Sequence, residues 1–114
     1  MAISLKRIAV QGFPGGGVLI GFFVGLSGTY PTGGETVVFS GLQVNLTGTP
    51  VFCSIVGQSG YVYEYAYGTD PDTGKLVARV NNTAGANSPL PEHTNAAYAA
   101  GVSGDTIRGL VWFK

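Results

Sequence analysis

The apolar residues of this 114-residue chain come in short β-branched and aromatic runs broken by Gly, Pro, Asn and Asp, and they do not recur at the spacing of an amphipathic helix. Such a chain buries its apolar side chains on the faces of sheets. Seven runs read as strands: Ile3 to Gln11, Val18 to Leu26, Glu35 to Ser40, Val51 to Val56, Tyr61 to Tyr67, Lys75 to Asn81 and Thr106 to Phe113. Strands this short, with no convincing helix among them, suggest two packed sheets or a barrel. The expected fold is all-β, an antiparallel β-sandwich of about seven short strands. A chain of this length is one domain, 1-114, with a single core.

The clearest alternation sets Tyr61, Tyr63, Tyr65 and Tyr67 against Val62, Glu64 and Ala66, so that four tyrosines share one face of a strand. That face is expected to be covered. Asp70-Pro71-Asp72-Thr73-Gly74 then has the chemistry of a tight turn: Pro presets φ, Asp accepts local backbone hydrogen bonds and Gly tolerates a left-handed corner. Tyr61 to Tyr67 and Lys75 to Asn81 are therefore expected to pair as an antiparallel hairpin. Asn82 to Gly104, rich in Ala, Asn, Ser, Pro and Gly, reads as a long loop, a feature that in small domains is functional, disordered or laid across a partner. Within it only Ala96 to Ala100 has helix propensity, and Gly101 would end that helix after little more than a turn.

Charge argues against several classes of partner. Six basic residues balance six acidic ones, and Lys6-Arg7 is the one adjacent basic pair, so the clustered excess that displaces counterions from phosphates is missing and no nucleic-acid partner is expected. With so few charges and an apolar content near half, copies have little to keep them apart, which favours an oligomer or a docked subunit. Cys53 is the single cysteine, so the fold cannot depend on an internal disulfide. It reads as a small core residue, compatible with a reducing cytoplasm. Val18 to Leu26 is too short for a membrane span, which takes about 20 apolar residues. A secretory signal after Lys6-Arg7 is disfavoured because Gly12, Pro14 and Gly15-Gly16-Gly17 interrupt the apolar stretch it would need.

No constellation assembles an active site in the sequence. Asp70, Asp72 and Gly74 resemble the opening of a calcium loop, but the chain runs on into an apolar strand instead of supplying the remaining oxygen ligands. Glu35 and Glu64 have no spacing that selects a glycosidase pair. Glu35 reads as an acceptor at the end of a corner and Glu64 as an outward residue opposite the tyrosines. His93, the one histidine, reads as a solvated loop residue, and no Gly-x-Ser-x-Gly elbow presents a nucleophile to it and Asp105. Gly12 to Gly17 lacks the ending of a phosphate-binding loop, and Asn45-Leu46-Thr47 and Asn81-Asn82-Thr83 are glycosylation patterns that matter only in a secreted protein. The expectation is a non-enzymatic protein with no cofactor and no metal.

Gly28-Thr29-Tyr30-Pro31-Thr32-Gly33-Gly34-Glu35 joins two apolar runs through a corner in which Pro31 fixes φ and Gly33-Gly34 can take positive φ. Tyr30 is then placed to lie flat against a neighbouring surface. Further on come Gly60-Tyr61-Val62-Tyr63-Glu64-Tyr65, the return strand Gly74-Lys75-Leu76-Val77-Ala78, and a closing strand from Thr106-Ile107-Arg108 to Lys114. In this order the pieces resemble small phage virion proteins that decorate or cement icosahedral heads, over about half of the chain, Gly28 to Val80 and Thr106 to Lys114. The resemblance implies a structural subunit on the outer capsid surface of the virion, assembled in the cytoplasm of a bacterial host. Its implied partner is the major capsid protein, and its implied oligomer is a homotrimer at local three-fold positions. Interface candidates are Tyr30, Pro31, Tyr61, Tyr63, Tyr65, Tyr67 and Trp112, and the segments expected to dock on the shell are Met1 to Gly17 (1-17) and Asn82 to Gly104. The alternative reading is a carbohydrate- or receptor-binding module of a phage fibre, in which the tyrosines and Trp112 stack on sugars.

Overall fold

The computed structural model describes residues 3–14, 17–42, 46, 50–80 and 90–113. Its strands are β1 (Ile3–Gly12), β2 (Val18–Leu26), β3 (Glu35–Thr36), β4 (Phe52–Val56), β5 (Val62–Ala66), β6 (Lys75–Arg79) and β7 (Ile107–Phe113), with one short helix, α1 (Ala100–Ser103). The protein is all-β and antiparallel. All seven strands lie in one sheet, in the order β1-β2-β7-β4-β5-β6-β3, and that sheet curls into a half-barrel instead of forming two facing layers. The cause is β7. It pairs with β2 from Val18↔Phe113 to Val24↔Ile107 on one side and with β4 from Phe52↔Trp112 to Val56↔Arg108 on the other, so the two halves of the chain share a strand.

The hairpin of β5 and β6 forms in the expected place, with Tyr63 opposite Ala78 and Tyr65 opposite Leu76. Its turn is held as the composition implies: Asp72 N–H donates to Asp70 Oδ1 (2.8 Å), and the Thr69 N–H donates to Thr73 Oγ1 (3.0 Å). The described part of the N-terminal segment expected to dock is mostly strand. Ile3–Gly12 is β1, paired with β2 from Ile3↔Leu26 to Gly12↔Val18 with a bulge at Ile8, because Ile3 and Leu5 alternate onto the core side of the sheet.

The strand expected from Glu35 to Ser40 ends after Thr36, and the chain turns inward through a 3-10 turn at Phe39–Gly41. Phe39 explains the turn. Its fully buried ring plugs the concave side of the sheet, with centroids 5.5 Å from Phe22, 5.6 Å from Tyr65 and 5.6 Å from Phe113. Around it lie Ile20 and Val24 of β2, Val111 of β7, Ile55 of β4 and Leu76 of β6. Gly109 is required on this face, since any side chain there would overlap the Phe22 ring.

The segment after β6 is described from Leu90 onward; residues 82–89 of the expected loop, and the asparagines of both glycosylation patterns, lie outside the described residues. From Leu90 the chain is tied down rather than loose. It bridges back at Arg79↔Glu92 and Thr29↔Ala97, and Tyr30 N–H donates to Ala96 O while Tyr98 N–H donates to Gly28 O. Those ties hold 96–98 extended, so the short helix begins at Ala100 and not at Ala96.

Candidate interaction surface

Polar side chains gather where the Gly28 to Glu35 corner meets the returning segment. Gly33 and Gly34 take φ of +92° and +105°, and Gly34 N–H closes the turn onto Pro31 O (3.0 Å). One Glu92 oxygen accepts both the Tyr30 hydroxyl (2.5 Å) and the Gly33 N–H (2.7 Å), and the Tyr98 hydroxyl donates to the buried Glu35 (2.9 Å). Burial first, and then these carboxylates, push the phenols of Tyr30 and Tyr98 well above the ordinary tyrosine range. The Tyr30 hydroxyl and the Gly33 N–H in turn hold the Glu92 carboxyl below its usual value.

His93 completes this clasp and corrects the expectation of a solvated loop residue. It is buried, its ring 5.2 Å from that of Tyr30 and 5.4 Å from that of Tyr98. Nδ1 lies 2.7 Å from Thr94 O and must carry the proton, which leaves Nε2 to accept the Ala99 N–H at 3.4 Å. Both nitrogens are therefore engaged by backbone. Asp105 binds elsewhere, accepting the Gln58 N–H and the Tyr63 hydroxyl, each at 2.8 Å. The clasp joins two stretches of chain, and none of these hydrogen bonds poises a nucleophile.

The remaining chemical candidates are likewise occupied. Glu64 lies on the convex face, where its Oε1 accepts Arg79 Nε–H at 2.6 Å, while Glu35 is buried against Tyr98. Asp70 and Asp72 accept backbone N–H groups, the latter from Ser40 at 3.0 Å. Burial pushes the Cys53 thiol up to about 12, so it is not a thiolate at neutral pH. Among the described residues no group of three or more His, Cys, Asp or Glu is placed to hold a metal ion, and no helix is long and apolar enough to cross a membrane.

The interface candidates divide sharply. Tyr30, Tyr63 and Tyr65 are buried in the chain's own core, because the concave face they share is closed by Phe39 and the returning segment; Tyr61 is half-buried. Pro31, Tyr67 and Trp112 are exposed, with the Tyr67 hydroxyl accepting the Cys53 N–H (3.1 Å).

Trp112 marks the surface that the sequence reading left mostly unnamed. On the convex face Leu19, Trp112 and Phe52 stand side by side across β2, β7 and β4, and the closing turn of the β1–β2 hairpin brings Phe13 and Gly17 against them. Together Phe13, Leu19, Phe52 and Trp112 line an apolar depression of about 500 Å³. Leu110 lies on the next row, opposite Gly21 and Ser54. Charges come one row further on, where Arg108 sits over the Phe23 ring at 5.5 Å and Lys6 pairs opposite Phe23. The sequence did carry a signal for this surface: Phe22-Phe23 and Leu110-Val111-Trp112-Phe113 are apolar at both parities, so both faces of those strands are apolar.

A second opening lies between the two free edges of the half-barrel, where Ile3, Ser4 and Leu5 of β1 face Thr36, Val38 and Leu42 across a groove of about 430 Å³. The chain matches no known family model, no curated protein and no solved structure.

Proposed function

We propose that this protein is a phage virion structural subunit, a decoration or cement protein that binds the outside of the head shell through the major capsid protein and stabilises it. The observation that carries the reading is the apolar end of the convex face, where Phe13, Leu19, Phe52 and Trp112 line an open depression, while the Glu92 and Glu35 carboxylates are engaged within the chain. The layout resemblance from the Gly28 corner to the closing strand supports the same reading. A subunit of this kind acts by burying apolar area across capsomer boundaries, at about 25 cal/mol per Å² before the costs of association. The two-layered packing expected from the sequence is, on this reading, completed in the virion, where a neighbour covers the open face of the sheet. The subunit works as a homotrimer at local three-fold positions, on virions assembled in the bacterial cytoplasm.

Co-sedimentation with undecorated capsids tests this directly. The protein is expected to pellet with the shells to a fixed stoichiometry and to raise the temperature at which they open; shells that neither bind it nor gain stability overturn the reading. A fibre module that binds glycans or a receptor is the second reading, favoured by the exposed Tyr67, Phe52 and Trp112 rings. Saturable retention on a glycan array, lost on changing Trp112→Ala, is the result that would select it.

A further inference from the structure

We infer that the uncharged end of the convex face, built from Phe13, Leu19, Phe52, Leu110 and Trp112, is the surface through which copies of this chain bind each other. The inference rests on the reading above only for its setting, a subunit displayed in several copies. Its physical basis is separate. Phe52 is 51% exposed, Phe13 44%, Leu110 42% and Trp112 39%, and they share one continuous sheet surface. With full aromatic areas of roughly 150–250 Å² each, the exposed apolar area reaches on the order of 500 Å² once Phe23 and Val56, which flank Arg108 at the charged rim of the surface, are included. That matches what one side of a standard interface supplies, about 800 Å² of which a little over half is non-polar.

A second copy is the occupant that fits this surface. The chain carries no net charge, so two copies approach without overall repulsion. On the face itself, Lys6 and Arg108 lie in the Phe23 row, so Leu19, Trp112 and Phe52 share their own row on β2, β7 and β4 without a charged side chain among them. A twisted sheet face with alternating large and small positions, here Trp112 and Leu110 beside Gly21 and Ser54, can interdigitate with apolar side chains of another copy as the layers of a sandwich do. The second layer of the sandwich expected within one chain is then supplied by another copy. The concave face cannot serve, since Phe39 and the clasp already fill it.

Trp112 is the one tryptophan, so its fluorescence reports on this surface alone. The full chain is expected to sediment at micromolar concentration as a multiple of the single-chain mass, in low and high salt alike, with blue-shifted emission and slow acrylamide quenching. Phe52→Lys is expected to give a monomer with unchanged circular dichroism and red-shifted emission quenched several-fold faster. Leu110→Lys, on a different strand, guards against a fold defect specific to β4 and should do the same. A wild-type monomer at all concentrations overturns the inference, as does an oligomer that survives both substitutions or leaves Trp112 as accessible as in Phe52→Lys. Capsid co-sedimentation separates the two ideas. Wild-type monomers that decorate shells sink self-association, and the trimer with it, but leave capsid binding standing, whereas stable oligomers that ignore shells do the reverse.

Discussion

The two faces of the same sheet are finished to different degrees. On the concave side Phe39, Tyr30 and Tyr98 fill the curl, and the carboxylates of buried Glu35 and half-buried Glu92 each accept a hydroxyl. On the convex side aromatic rings of similar size stand half in water. The adjacent residues Phe22 and Phe23 make the contrast within one strand, at 0% and 37% exposure. Both are phenylalanines on β2; only the side of the sheet differs. The difference teaches that hydrophobicity in this chain exceeds what one chain can bury, and that the surplus is gathered on one surface.

The largest expected effect sharpens that contrast. Phe22→Ala should cost about 3–5 kcal/mol and lower Tm by on the order of 10–20 °C, because it empties a closed site beneath Phe39. Phe23→Ala in dilute protein should cost about 1 kcal/mol or less, chiefly its contact with Arg108. Thermal melts of the two variants at matched concentration decide the point, and equal losses would break the comparison by showing that the convex face is closed within the monomer.

The corner offers a comparison of the same kind at smaller scale. Gly34→Val should destabilise by about 3 kcal/mol or more, since a Cβ there meets Leu76 O at 2.5 Å on top of the cost of a φ of +105°. Gly33→Val, with open space around it and a φ of +92°, should cost only the backbone strain, about 1–2 kcal/mol. Chemical denaturation would reveal the gap; similar values would mean that the corner relaxes away from Leu76.

Glu92 gives the smallest effect and a pH signature. Glu92→Ala removes the acceptor of the Tyr30 hydroxyl and the Gly33 N–H and should cost about 1–2 kcal/mol at neutral pH. The folded carboxyl is held below its ordinary value, chiefly by the Tyr30 hydroxyl. Its contribution is therefore complete above the unfolded pKa, about 4.3, and is lost as the pH falls through the lower folded value. Melting curves between pH 7 and 3 should show wild type and variant converging at the acid end. A constant difference across that range would assign the cost to packing instead.

Much of the local structure was legible in the sequence. The β5–β6 hairpin could be read because Asp70-Pro71-Asp72-Thr73-Gly74 specifies its own turn, and the corner because few residues other than Gly33 and Gly34 tolerate its dihedrals. Glu35 was expected as an acceptor and is one. The convex surface was only partly legible. Trp112 stands out in the sequence as an aromatic interface candidate, but Phe52, Leu19 and Phe13 belong to different runs, and their meeting depends on β7 lying between β2 and β4. His93 and Tyr30 were misjudged for a related reason: the hydrogen bond that fixes Tyr30 reaches a residue 62 positions away.

Short apolar runs punctuated by turn residues, with no helical period, determined by themselves that this protein is an antiparallel β-domain, because alternation and turn chemistry act over a few residues. Whether its strands split into two layers or curl into one was decided only in three dimensions, by the insertion of β7 between strands distant in sequence. So was the choice of which apolar face is covered. Runs such as Phe22-Phe23 are apolar on both sides, and only Phe39 and the clasp, packed against one of them, make that side the inside.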